Sequence, residues 1–395
     1  MRNEDEGRSS PVETRPSPDV KPTAELSAPS NHESGPCLSE EEVLAFSEGS
    51  LMPAEIECVH AHLDWCPTCQ ELVNAAVHQW DHPPACFGGD RIWMATFGPG
   101  QVIAGRYRIE GFLGRGGMGE VYSAFDSLFH ERVALKTLLS TTSDNPHAVR
   151  RLLTEARLAR RISHTNVCRV HDVGVHREPG RVDEHLHFLT MELIDGKRLG
   201  QLLRAGKIEL GMALRIGRQI LSGLAAAHAA GVLHRDLKSD NIMVAGQAAE
   251  LRIAITDFGL SRALNDESRA VGTGGQARVG SVSYMAPEQI LGHELGPETD
   301  LFGFGVVFFE MLCGRLPFAL KGENLKVTAI RRLRQRAVPP SSLRHEVWPA
   351  LDELVLRCLR EKPEERFGDA GQVLAMLDAA EACRPRGHAQ SAAKC

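Results

Sequence analysis

Three glycines spaced Gly114-x-Gly116-x-x-Gly119 lie in the run LGRGGMGEVYSAFD, residues 113–126, and their flanks restrict the fold more than any other part of the chain. The spacing alone is shared by dinucleotide sites and by plain turns. A dinucleotide site needs a strand before the glycines and a helix N-terminus after them to receive a pyrophosphate. Here a strand pattern, YRIEGFLG, runs in from Tyr107, and a second strand pattern, EVYSAF, runs out. Two readings remain for such a hairpin: a tight glycine turn, or a flap whose backbone amides cover phosphates.

Strand patterns continue with ERVALKTL, which sets Lys136 inside a strand where its ammonium could meet nucleotide phosphates. The helical pattern AVRRLLTEARLARRI follows, with Leu152, Ala156 and Ala159 facing inward and the arginines at 150, 151, 157, 160 and 161 on a solvated face. Glu155 on this helix is either the carboxylate that holds Lys136 or one more exposed helix charge. CRVHDVGVH and LHFLTMEL read as two further strands, split by the polar turn REPGRVDEH. Helical patterns dominate after about residue 198. A small sheet-rich lobe thus precedes a larger helical one, an α+β arrangement.

More motifs follow in a fixed order. HRDLKSDN carries His234, Arg235, Asp236, Lys238 and Asn241; DFG carries Asp257, Phe258 and Gly259; APE carries Ala286, Pro287 and Glu288. Each alone is weak, but the ordered set matches the protein-kinase signatures. From 107 to about 380 the chain resembles the eukaryotic-like (Hanks-type) serine/threonine kinases of bacteria, most of all in LGRGGMGEVYSAFD and GSVSYMAPEQ. The resemblance implies a bilobal kinase fold, ATP with Mg²⁺ or Mn²⁺, and transfer of the γ-phosphate to protein hydroxyls. It implies a nucleotide site formed by Leu113, Gly114, Gly116, Gly117, Gly119, Val121, Ala134 and Lys136. Met191 matches the gatekeeper, and the Glu192 carbonyl and Ile194 amide would bind adenine. It also implies an ion pair of Lys136 with Glu155, Asp236 accepting the substrate proton, Lys238 on the transferring phosphate, and Mg²⁺ held by Asn241 and Asp257. Arg235 matches the arginine that pairs with an activation-segment phosphate, for which Thr273 and Ser268 are candidate acceptors in a glycine-rich, mobile loop. Ser281 is read as structural. Glu288 and Arg366 match a buried ion pair, and Asp300 matches the aspartate that binds backbone near HRD. Gly303 departs from the usual serine, which touches packing and not chemistry.

The other third of the chain differs in composition. Residues 1–36 are rich in Pro, Ser and acidic residues and are expected to be disordered. Residues 37–80 carry helical spacing and a capping box, Ser39 to Glu42. Residues 81–106 read as a Pro/Gly linker, 107–380 as the kinase domain and 381–395 as a tail. No apolar run reaches the roughly 18 residues of a membrane span, and the N-terminus has no secretory h-region, so a cytoplasmic protein is expected. The formal net charge of −6, from 45 basic and 51 acidic residues over 395, gives no reason to expect a nucleic-acid partner.

Within HAHLDWCPTCQE, residues 60–71, His62, Cys66 and Cys69 stand one helical turn apart, three soft ligands suited to tetrahedral Zn²⁺. Cys37 is the best fourth ligand; Cys58 and His60 fall on other helix faces. The segment resembles the zinc-binding anti-sigma-factor domain, an all-α unit with an upstream Cys and then HxxxCxxC. That resemblance implies a sigma factor or another regulatory protein as partner, with control of the kinase or recruitment of a substrate as alternatives. A redox pair and a plain helical turn with free thiols stand beside the zinc reading, although no βαβ pattern surrounds the CxxC. Two functions follow: a kinase with a regulatory or docking module, or an anti-sigma-like adaptor whose kinase domain acts as scaffold. Cys168, Cys313 and Cys358 lie in apolar patterns and are expected to be buried.

Overall fold

The computed structural model describes residues 37–39, 42, 43, 45, 46, 53–63, 66, 68–70, 72, 73, 96–116, 119–137, 153, 154, 156–177, 185–246, 250–258, 282–318, 333 and 335–385. The chain divides into two compact units at the Cys37–Leu38 peptide bond. Among the described residues, no helix is long and apolar enough to cross a membrane.

The strand patterns read from the sequence, together with one short strand inside the segment read as a linker, form one antiparallel sheet. Its strands are β1 (Val102–Ile103), β2 (Tyr107–Gly116), β3 (Gly119–Asp126), β4 (Glu131–Thr137), β5 (Val170–Arg177) and β6 (His185–Glu192), in the order β1-β2-β3-β4-β6-β5. One face packs Ile103, Tyr107, Ile109, Tyr122, Ala124, Val133, Leu135 and Phe188 into a small core. Breaks in register at Ile109/Gly111 and Phe112/Gly114 bend β2 and curl the glycine hairpin away from a flat sheet.

The segment read as a linker, 81–106, ends inside this lobe. The Thr96 amide donates to Glu120 Oε2 at 3.1 Å and the Phe97 amide to Tyr122 Oη at 3.1 Å. The Phe97 ring stands edge-on to Tyr122, and β1 pairs with β2. The Pro99-Gly100 turn that looked like a linker signal instead redirects the chain into β1, with Gly100 at φ 89°.

The helical lobe contains α2 (Leu199–Ala205), α3 (Leu210–Ala229), α4 (Pro287–Leu291), α5 (Pro297–Cys313), α6 (Pro349–Cys358) and α7 (Ala370–Ala382), with α1 (Pro53–Leu63) lying upstream in the N-terminal segment. Glu209 starts α3 by accepting from the Gly211 and Met212 amides at 2.7 and 2.9 Å. Helix α5, the apolar run of the sequence, is buried almost throughout and ends at Gly314, left-handed at φ 70°. A Cβ at Gly303 would lie 3.1 Å from Leu237 Cβ, so the glycine lets α5 approach the HRD loop closely. A second sheet of β7 (Gly196–Arg198), β8 (Ile242–Ala245) and β9 (Arg252–Ile255) lies inside this helical region. The sequence pattern missed it because strands of three or four residues are too short to show alternation.

Glu288 and Arg366 form the expected buried pair, 3% and 0% exposed at the side chain. The guanidinium donates to both carboxylate oxygens at 2.7 and 2.8 Å and also to the carbonyls of Glu298, Arg360 and Glu361. Thr299 Oγ1 donates to the same carboxylate at 2.8 Å. Breaking such a pair strands a buried charge. Glu288→Ala is expected to destabilise the helical lobe by about 3–5 kcal/mol, read as a lower urea midpoint with the m-value unchanged.

In the N-terminal segment, Ser39 and Glu42 form the expected reciprocal cap, at 2.7 and 3.1 Å. Leu38, Val43, Val59, Cys66, Cys69, Leu72 and Val73 are buried together, and Phe46, Leu63 and Leu333 pack against them.

Candidate active site

Strand register assembles the nucleotide side of the cleft. Val121 lies opposite Lys136 across β3–β4, Gly114 opposite Val121 across β2–β3, and Ala134 opposite Met191 across β4–β6. Directly opposed residues share a face, so Val121 and Lys136 point to one side, with Ala134 two residues away on that side. Gly116 pairs with Gly119, which closes the hairpin at φ 147°. Leu113 is half exposed on β2, and Gly117 lies outside the described residues.

Lys136 is 5% exposed, and its Nζ meets Asp257 Oδ1 at 2.5 Å. Glu155, the expected partner, lies outside the described residues, as do Thr273, Ser268 and Ser281. Burial alone would raise the Asp257 carboxyl, but the Lys136 ammonium outweighs it and holds the group below its ordinary value. Met191, Leu189, Cys168, Val170 and Phe258 line a small apolar cavity behind this pair. Glu192 and Ile194 lead out of β6 toward the helical lobe, both half-buried. The Glu192 carboxylate is engaged by Arg252 and its amide donates to the Arg169 carbonyl at 2.9 Å. Its carbonyl accepts a long contact from the Cys168 thiol at 3.7 Å.

The proposed chemical groups of HRDLKSDN converge on one carboxylate. Lys238 Nζ reaches Asp236 Oδ2 at 2.6 Å, and Asn241 Nδ2 donates to the Asp236 carbonyl at 2.8 Å and to Oδ2 at 3.3 Å. Asp300 of α5 fixes the loop from below. Its two oxygens accept from the His234 and Arg235 amides at 2.8 and 2.7 Å, and His228 Nε2 lies 2.8 Å away. His234 receives the Asp236 amide on Nδ1 at 3.2 Å and places Nε2 2.8 Å from the Thr256 carbonyl, next to DFG. The Phe258 ring rests edge-on against His234 at 4.8 Å. Arg235 and Asp257 both hold positive φ, 65° and 62°, a conformation kept for such residues only where surrounding contacts over-determine it.

Sequence reading missed His228, whose ring completes the grip of Asp300, and Gln289, which donates to the Arg235 carbonyl at 2.6 Å. It also missed the chain Ser239–Tyr284–Glu310, joined at 2.9 and 2.7 Å, which ties the loop to the segment before APE and to α5. These are single polar residues in helices and turns, and only their long-range partners distinguish them.

At the N-terminal cluster, the ligand atoms of Cys37, His62, Cys66 and Cys69 lie within 4.8 Å of one another. Tetrahedral Zn²⁺ with sulfur ligands at about 2.3 Å needs ligand–ligand edges of about 3.8 Å, so three thiols and an imidazole at this spacing fit the ion. Cys58 and His60 are not among these four, and the His60 ring stands edge-on to Phe46 at 5.4 Å.

The protein kinase domain family model matches residues 107–377, and the chain belongs to that family. It is 34% identical over 276 residues to a probable serine/threonine-protein kinase of Clostridium acetobutylicum, covering 70% of this chain and 40% of that protein. It is 35% identical over 273 residues to the serine/threonine-protein kinase PknA of Mycobacterium tuberculosis, covering 69% and 60%. It is 34% identical over 293 residues to pkn3 of Myxococcus xanthus, covering 73% and 52%. The chain thus spans between two-fifths and three-fifths of the length of these relatives. The kinase domain of M. tuberculosis PknI superposes with a TM-score of 0.56 at 24% identity, over 72% of this chain and 99% of that one, a likeness of fold. The match of folds covers the bilobal region, sheet-rich lobe first and helical lobe second.

Asp300 gives the site a pH signature. Burial would raise its carboxyl, but the bond with His228 and the His234 amide hold it below its ordinary value. A carboxylate depressed in the folded state adds stability that is complete above its unfolded value, near 4, and is lost as pH falls through the folded value. Asp300→Asn is expected to unfold more easily than wild type at pH 7 and to show a shallower loss of stability below about pH 4, measured by urea titration across pH.

Proposed function

We propose that the chain is a Ser/Thr protein kinase that transfers the γ-phosphate of ATP to protein hydroxyls. The observation that carries this is a pair of contact sets, Lys136 with Asp257 at 2.5 Å and Asp236 with Lys238 and Asn241 at 2.6–3.3 Å, whose two stretches of chain are tied by the Thr256 amide donating to the Asn241 carbonyl at 2.8 Å. The glycine hairpin covers the phosphates with its backbone amides, and Lys136 steadies the α- and β-phosphates while Glu155 holds it. Ala134, Val121 and Met191 frame the adenine, with the Glu192 carbonyl and Ile194 amide as its polar contacts. Asp236 orients the substrate hydroxyl and accepts its proton; Lys238 neutralises charge on the moving phosphoryl group. Asn241 and Asp257 would hold Mg²⁺ or Mn²⁺, which supplies charge compensation between the β- and γ-oxygens. Arg235 would pair with a phosphate on Thr273 or Ser268, so autophosphorylation of that segment is part of this reading.

In the N-terminal segment, Cys37, His62, Cys66 and Cys69 would hold structural Zn²⁺, which supplies cross-linking of a unit too small to be stable on its core alone. That unit serves as a regulatory or partner-docking module, with a sigma factor or another regulatory protein as the partner class.

Asp236→Asn is expected to abolish phosphate transfer from labelled ATP to the chain itself and to a generic protein, while binding of ATP persists. Equal transfer by wild type and variant would instead favour the scaffold reading. Metal analysis of the purified full chain should find one zinc per chain, lost in the double variant Cys66→Ser/Cys69→Ser.

A further inference from the structure

The run Gly114-x-Gly116-Gly117-x-Gly119 gives the hairpin few side chains with which to fix itself, so its position depends on the residues at its root. Arg115 and Glu120 stand opposite one another across β2–β3, and Arg115 Nη2 meets Glu120 Oε1 at 3.0 Å. Glu120 is 3% exposed, and a carboxylate is rarely buried unless partners hold it there. Two more groups do so besides Arg115. Tyr122 Oη donates to this carboxylate, and the Thr96 amide donates to Oε2 at 3.1 Å. Burial would raise the Glu120 carboxyl, but these contacts hold it below its ordinary value.

The same cluster is tied to the neighbouring strands. The Glu120 amide donates to Thr137 Oγ1 at 3.2 Å, and that hydroxyl donates to the Glu120 carbonyl at 3.3 Å, one residue beyond Lys136 on β4. Tyr122 is fully buried, its Oη accepts the Phe97 amide at 3.1 Å, and its ring meets Phe97 and Phe112 edge-on at 5.8 and 5.7 Å. The Phe97 ring in turn meets His176 of β5 edge-on at 6.1 Å. Side chains alternate along a strand, so Glu120 and Tyr122 lie on the face opposite Val121 and Lys136. None of the steps of phosphate transfer uses this buried carboxylate and phenol. Thr96 and Phe97 also precede residues 107–377, the extent of the family match.

We propose that Glu120 and Tyr122 are positioning residues for the glycine hairpin: from the face of the sheet turned away from the nucleotide they fix its root through Arg115 and Thr137, and Thr96 and Phe97 complete that anchor from outside the matched domain. This rests on the kinase reading given above. The anchor acts where backbone amides would cover the phosphates, so it is felt in the binding of ATP more than in the groups of HRDLKSDN.

The test uses the full chain. Tyr122→Phe keeps the ring and removes only the hydroxyl, while Glu120→Gln keeps the shape and removes the charge. Each should raise KM for ATP about three- to tenfold, with a smaller change in kcat and none in KM for a generic protein substrate. Phe97→Ala should act in the same direction. Arg115→Ala combined with Glu120→Gln should raise KM by less than the product of the two single effects, because the pair works as a unit. Glu110→Gln, which breaks an ion pair with Arg132 on the same sheet, should leave KM for ATP at the wild-type value. Urea midpoints show which variants are folded, and Tyr122→Phe decides the matter where Glu120→Gln is not. Folded variants with unchanged KM for ATP, or a rise equalled by Glu110→Gln, overturn the positioning role and leave the cluster as packing alone. A wild-type chain that binds no ATP overturns the kinase reading itself and this proposal with it.

Discussion

Everything at the cleft depends on a carboxylate that never meets the reactants. Asp300 is buried in α5, a helix buried almost throughout, yet its carboxyl is held below its ordinary value because an imidazole and two backbone amides satisfy it. Those amides belong to His234 and Arg235, so the carboxylate dictates the left-handed turn at Arg235 and the direction in which Asp236 leaves the loop. Through His234 the same grip extends to the Thr256 carbonyl and hence to Asp257. Two separate stretches of chain are thereby indexed to one rigid helix. Such indexing suits phosphoryl transfer, where the protein's contribution is mainly positioning and charge.

Much of this could be read from the sequence, and the reasons are specific. The five main strands of the first lobe appeared because their alternation runs over seven to ten residues. The catalytic carboxylates appeared because their motifs are short, ordered and chemically distinctive. Gly303 was noticed as a departure, and its meaning, close contact with Leu237, needed coordinates. The second sheet escaped because its strands are too brief to show a period. The end of the supposed linker escaped because Pro and Gly mark a turn equally well whether the turn is free or packed. His228, Gln289 and Glu310 escaped because their partners lie from about 25 to 70 residues away, beyond any local pattern.

The two lobes are built on separate apolar clusters, and the N-terminal segment adds a third. The large cluster surrounds α3 and α5 and supports the catalytic loop. The small sheet core, with fewer residues, supports the hairpin. On the proposed reading the larger cluster underlies the loop that carries Asp236, and the smaller one underlies the hairpin that would cover the phosphates. The third cluster contains Cys66 and Cys69 among its buried members, so two of its packing residues are also proposed metal ligands.

The distribution of thiols has a practical side. Cys168 and Cys358 are buried, and burial drives their thiols far above the usual range or up to about 12, while Cys313 is raised to about 11. A thiol held protonated is a poor nucleophile. Cys168 lines the small cavity beside Asp257 and Phe258, where burial disfavours its thiolate. Alkylating dyes would instead decorate, among the described residues, exposed Cys37, Cys58 and Cys383, two of them near the N-terminus. Among the described residues, covalent labelling would report on the N-terminal segment through Cys37 and Cys58 and on the end of α7 through Cys383.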